Sequence, residues 1–158
     1  NGNPNIAEDS YANEMSQLLF NNLLSENEKL LLISQNDMEA GKYELVINRI
    51  KTLEKAKFKK GNRAKLDMIL IELYQRINDF DNSKKILLSL SQDSPPLMEN
   101  SKFLFLKAKQ AYHNKEYKIA SENLELAYEF LNKNDNKLNR LLENLNIKLK
   151  ELNKQKRG

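Results

Sequence analysis

Apolar residues return along most of this chain at intervals of three, four and seven, the spacing of one face of an α-helix. Leu45, Val46, Ile50 and Leu53 mark such a face over 43–58. Leu66, Leu70, Leu73, Tyr74 and Ile77 mark one over 63–77, and Ile86, Leu87 and Leu90 one over 80–92. Helices are also predicted over 26–40, 97–113 and 117–132. A first helix over 9–24 would set Tyr11, Met15, Leu18, Leu19 and Leu23 on a broad face. A last one over 136–155 would place Leu138, Leu141, Leu142, Leu145, Leu149 and Leu152 in a single stripe. No stretch alternates with period two for long enough to make a strand, so the pattern implies an all-α chain of about eight helices.

The polar residues between these faces punctuate them. Residues 1–8 lack periodicity and read as a tail. Ser25 followed by Glu28 is a capping box, in which the hydroxyl accepts from the backbone at the third helical position. Gly41 supplies a left-handed stop. Gly61 is expected to break the chain between two helices, Pro95-Pro96 to end a helix pair and Asn134-Asp135 to precede the last helix.

The punctuation is periodic. Tyr43, Phe80 and Tyr117 stand 37 residues apart, each after a short polar break and each opening an apolar pattern. Seven residues further come Ile50, Leu87 and Leu124; ten further come Leu53, Leu90 and Ala127. Self-similarity at such a period marks stacked supersecondary units, none of which can bury its apolar face alone. The resulting organisation is a tail and helix over 1–24, three repeats over 25–61, 62–98 and 99–135, and an amphipathic capping helix over 136–158. That last helix is expected to pack on the third repeat. A coiled coil with another chain is the rival reading, because Leu138, Leu145 and Leu152 stand seven apart.

Over about residues 25–135 the repeats resemble tetratricopeptide repeats, helix–turn–helix units of about 34 residues with a W-x2-L-G-x2-Y … A-x3-F … P pattern. The third repeat carries Leu104, Ala108 and Ala111, then Tyr117, Ala120, Leu124 and Ala127. The second carries Leu70, Tyr74, Phe80, Leu87 and Pro95. The first carries Leu30, Ile33, Ser34, Tyr43, Ile50 and Leu53. Departures are Asp67 at a bulky position, Lys107 for a leucine, Val46 and Ser83 where alanine is usual, and a period three residues too long.

The resemblance implies an α-solenoid whose concave groove is lined by the first helix of each repeat. The groove positions would be Glu28, Leu31, Gln35 and Met38, then Lys65, Met68, Glu72 and Gln75, then Lys102, Phe105, Lys109 and Tyr112. Leu31, Met68 and Phe105 share one repeat position and would form an apolar ladder, the kind of strip that marks a binding surface. The alternative is that they are core, or lie beneath the chain's own N-terminal helix. Some members of that family grip a chaperone's C-terminal carboxylate. Here only Lys102 matches that grip; Leu31, Ile69 and Leu106 occupy polar positions and Gln35 replaces an asparagine, which argues against chaperone-tail binding.

Composition sharpens this picture by exclusion. The chain has no cysteine and one histidine, His113, so thiol chemistry, a His/Cys metal cluster and a nucleophilic triad lack their parts. Glycines at 2, 41, 61 and 158 cannot build a phosphate loop. No enzyme and no cofactor is expected, and a small-molecule ligand is not favoured. No apolar run approaches the ~18 residues a membrane span needs. Frequent Asn and Lys match the codon bias of an AT-rich genome.

Charge is unevenly placed. Residues 1–50 carry three Lys/Arg against eight Asp/Glu, and the remainder 23 against 14, so a net of −5 is followed by a net of +9. The densest stretch is Lys55, Lys57, Lys59, Lys60, Arg63 and Lys65, with no acid among them. It offers a phosphate-bearing partner a patch. A single aromatic, Phe58, gives base stacking little support, so nucleic acid is disfavoured. The other reading is a solvated turn whose cations suit a helix C-terminus.

The function these features predict is a non-catalytic scaffold binding a partner protein, helix or peptide, set in a bacterial cell-envelope complex. The alternatives are a basic-patch binder of nucleic acid or anionic membrane, and a regulatory domain of a larger protein. A periplasmic or envelope address is expected because the chain lacks Cys and an initiator Met, with a cytoplasmic domain as the alternative. Membrane contact is expected only through a missing anchor or the partner.

Overall fold

In a computed structural model, the protein is all-α. The structure describes residues 24–157, without the side chains of residues 60, 95, 96, 156 and 157. The helix expected over 9–24 therefore lies outside the described residues. The elements are α1 (Glu26–Glu39), α2 (Tyr43–Lys55), α3 (Lys60–Arg76), α4 (Phe80–Asp93), a 3-10 turn (Pro95–Glu99), α5 (Ser101–His113), α6 (Tyr117–Glu129) and α7 (Asn136–Arg157). No strand occurs among the described residues.

Four helix starts are set by side-chain caps. The Ser25 hydroxyl accepts from Glu28 N at 3.2 Å, the Asp79 carboxylate from Asn82 N at 3.2 Å, Asn100 Oδ1 from Phe103 N at 3.0 Å and Asp135 Oδ1 from Leu138 N at 3.0 Å. Each satisfies a donor that the first helical turn would otherwise leave unpaired.

The 37-residue period returns as backbone geometry. Gly41, Asn78 and Lys115 all take a left-handed conformation, with φ of 77°, 63° and 63°. Around each, two hydrogen bonds close the preceding helix. Lys42 N donates to Asp37 O, Asp79 N to Tyr74 O and Glu116 N to Ala111 O, at 2.8, 2.7 and 2.9 Å. Gly41 N donates to Met38 O, Asn78 N to Gln75 O and Lys115 N to Tyr112 O, at 3.1, 3.2 and 3.1 Å. These are three Schellman closures, which absorb the orphan carbonyls and turn the chain into the following helix.

Three boundaries differ from expectation. Gly61 does not break a helix; it lies in the first turn of α3, where a missing Cβ costs little because the early N–H groups have no intrahelical partner anyway. The break falls earlier, at Ala56, whose ψ of 141° is extended. The helix expected over 97–113 starts only at Ser101, because the 3-10 turn and the Asn100 cap occupy its first residues. Helices α2 and α6 end three residues before their expected limits.

The chain forms two compact units, Asn1–Ile69 and Leu70–Gly158. In the first, α1 packs on α2 as a helical hairpin, burying Leu31, Ser34, Asp37 and Met38 against Val46 and Leu53. Arg49 reaches across to Asp37 at 2.6 Å.

In the second unit α5 is the centre. It packs on α6, α4, α7 and the 3-10 turn. Phe103, Leu104, Leu106 and Ala108 are buried in it, with Ala120, Leu124 and Ala127 opposite on α6. Those alanines let the two helix backbones approach closely. Buried polar groups join the elements: Ser83 Oγ donates to Gln110 Oε1 at 2.8 Å, Gln110 Nε2 to Phe80 O at 3.0 Å, and Ser101 Oγ to Ala127 O at 2.6 Å. The lone histidine, His113, lies exposed and stacks on Phe80 with ring centroids 3.8 Å apart.

The last helix packs on α6 and α5 through Leu138, Leu142, Leu145 and Leu149. Leu141 stays exposed and Leu152 is half-buried, so the buried stripe is narrower than the leucine pattern.

Candidate functional site

The twelve positions that the repeat resemblance would place in a groove divide by burial. Leu31, Met38, Gln75 and Phe105 are buried, so these four do not line an open groove. Leu31 and Phe105 belong to the core, and Met68 is half-buried, so the ladder does not stand in water. In the second unit the reason is the covering of α5 by α4, α6, α7 and the 3-10 turn: it buries eight of its residues, which leaves little apolar area for a ligand. Lys65 is exposed; Glu28, Gln35, Glu72, Lys102, Lys109 and Tyr112 are half-buried.

Within the second unit, several of these residues meet. Lys102 Nζ lies 3.0 Å from Glu72 Oε2, joining α5 to the end of α3. Lys109, two turns further along α5, places its ammonium 5.7 Å from the centroid of the Phe105 ring. Burial pushes the Lys109 amine below the usual lysine range; Glu72 works against this, while the charges of Arg76 and Lys148 push it further down. Gln75 Nε2 donates to Leu106 O at 2.9 Å, while its Oε1 is buried without a partner among the described residues. Tyr112 sits edge-on to Tyr117, with centroids 5.7 Å apart. The result is a face on which Lys102 and Lys109 flank the single carboxylate of Glu72 above the Phe105 ring, with burial as the main cause that lowers the Lys109 amine.

Arg76 and Lys148 were not among the residues picked out from sequence. Arg76 stands four residues after Glu72 on the same helix, a spacing that could have signalled it. Lys148 is one of several lysines on the polar side of α7, and only the packing of α7 brings it near Lys109.

The basic stretch is dispersed. Lys55 ends α2, Lys57 and Lys59 lie in the connecting segment, and Lys60, Arg63 and Lys65 belong to the start of α3. All but Lys60, whose side chain is outside the description, are exposed. Arg63 Nε pairs with Asp67 Oδ1 at 3.3 Å. The favourable helix-end effect applies to Lys55 alone, because a helix N-terminus disfavours cations.

Among the described residues, no helix is long and apolar enough to cross a membrane, and no three His, Asp or Glu side chains gather as a metal would require. No protein family, curated protein or solved structure matches the chain.

Proposed function

We propose that the chain is a non-catalytic protein–protein interaction module of tetratricopeptide-like repeats, holding a partner segment that carries carboxylates against the face formed by Glu72, Lys102 and Lys109. The observation that carries this reading is Lys109. Its ammonium is partly withdrawn from water, shares Glu72 with Lys102, and is pressed by two further cations. A carboxylate from outside offsets that burial and repulsion, and the half-buried Tyr112 offers aromatic surface beside it. Recurring left-handed closures at 41, 78 and 115 support the repeat reading. We place the module at the bacterial cell envelope, a compartment that a chain without cysteine tolerates as well as it does the cytosol; recovery in the cytosolic fraction of native cells would overturn that placement.

The test is photocrosslinking in native cells from a reactive amino acid at Tyr112. A protein adduct, identified by mass spectrometry and lost on Lys109→Glu with helicity unchanged, is the expected result. Capture unaffected by the charge reversal overturns the assignment of this face. A second reading, an anionic polymer or membrane bound through Lys55, Lys57, Lys59 and Lys65, draws on exposed cations spread over the end of α2, the connecting segment and the start of α3. A loss of affinity by several decades between low and physiological salt would select it.

A further inference from the structure

A cleft of about 310 Å³ opens between α4, α5 and α6, and it shares no residue with the charged face. We propose that this cleft is a second docking site on the same module, taking a partner-protein segment that sets an aliphatic side chain beside a carboxylate.

Two features define the occupant. The first is where the aliphatic residues sit. On α4 the inward positions are Ser83, Leu87 and Leu90, and on α6 they are Ala120, Leu124 and Ala127. Leu88 and Ile119 fall one position away from these faces. They remain 57% and 46% exposed, and both line the cleft. Apolar side chains on the rim rather than the floor are covered by a docked surface, whereas a free ligand lying in the cleft leaves their outer sides in water. The floor is already satisfied: Gln110 bonds to Ser83 and Phe80, and Asn123 Nδ2 donates to Ile119 O at 3.0 Å. It therefore asks for shape and apolar contact rather than for another hydrogen-bonding network.

The second feature is charge. Lys84 and Lys107 line the cleft with Glu116. Lys107 is half-buried, and its ammonium contacts the Met98 thioether sulfur at 3.8 Å, a weak acceptor for a group with three donors. No carboxylate pairs with Lys107 among the described residues. Burial holds its amine below the ordinary lysine range, which an incoming carboxylate reverses. An aliphatic group against Leu88 and Ile119, with a carboxylate reaching Lys107, uses both features at once.

Amide-resolved NMR titration of the full chain tests this with acetyl-Leu-Glu-Glu-Leu-amide and its counterpart with glutamine at both central positions. Shift changes are expected within 84–91, 107–114 and 116–123. The glutamine probe should bind about tenfold more weakly, the loss of one charge-assisted contact. Lys107→Met should abolish that difference without altering the glutamine probe, and Leu88→Ser should weaken both. Should Leu88→Ser lower the melting temperature, Ile119→Ser serves in its place.

Equal binding of the two probes, or shifts centred on Glu72 and Lys102, overturns the proposal. So does sodium heptanoate binding as tightly as the glutamate probe, which would make the cleft a site for free carboxylates. Self-association lost on Leu88→Ser would assign it to a second copy and overturn it equally. Lys109→Glu reads only the charged face, so the two sites fail or stand separately.

Discussion

The first helical hairpin, α1–α2, and the third, α5–α6, are closed by the same turn and filled differently. Both end their leading helix in a left-handed residue, Gly41 or Lys115, with the same pair of closing hydrogen bonds. Yet α1 buries four residues and α5 eight, so one turn geometry serves two very different cores. At matching positions the first hairpin places Ser34 and Val46 where the third places Ala108 and Ala120. Its cross-link is an ion pair, Arg49 to Asp37, where the third uses a hydroxyl to a backbone carbonyl, Ser101 to Ala127. Local backbone chemistry therefore makes the hairpin, and side-chain volume together with the number of neighbouring elements decides how much stability it supplies.

The comparison breaks most visibly in the crowded hairpin. Phe103→Ala removes a fully buried ring from α5 and should cost about 3–5 kcal/mol, seen as a large fall in the denaturant midpoint. In the first hairpin, Arg49→Met leaves Asp37 without the guanidinium that bonds it at 2.6 Å, and should cost about 1.5–3 kcal/mol in the same measurement. An unchanged midpoint there would show that water satisfies Asp37 unaided.

The shared turn gives a pair of opposite signs. Gly41→Ala forces a Cβ into the left-handed region and should destabilise by about 1–2 kcal/mol, whereas Lys115→Gly relieves the same strain and should raise the melting temperature. Two shifts of the same sign would deny that the turns are equivalent. The smallest effect belongs to Ser34, whose hydroxyl is fully buried with no partner among the described residues. Ser34→Ala should stabilise the protein by about 1 kcal/mol, because an unsatisfied buried hydroxyl disappears.

Much of this architecture was legible in the residues. The Ser25 cap, the stop at Gly41 and the openings at Tyr43, Phe80 and Tyr117 all occur where the pattern places them. Gly61 misled because glycine is as easily placed in a helix's first turn as in a break, and composition does not distinguish them. The left-handed turns at Asn78 and Lys115 carried no glycine to announce them, yet their distance from Gly41 did. The candidate site was less legible. Leu31 and Phe105 share a repeat position with Met68, but apolar character does not say whether a neighbouring helix covers it.

By itself the sequence determined the all-α class, the period and the helical hairpins. These rest on hydrogen bonds between residues three to five apart, on caps and on the spacing of one apolar face, all of which are local. Only the tertiary structure decided that Leu31 and Phe105 are core while Leu88 and Ile119 face the solvent, since all four are equally apolar as letters. It also decided that Lys109 on α5 meets Glu72 and Arg76 of α3 and Lys148 of α7. Burial and electrostatics depend on distance in space, and that distance exists only once α3, α5 and α7 have packed.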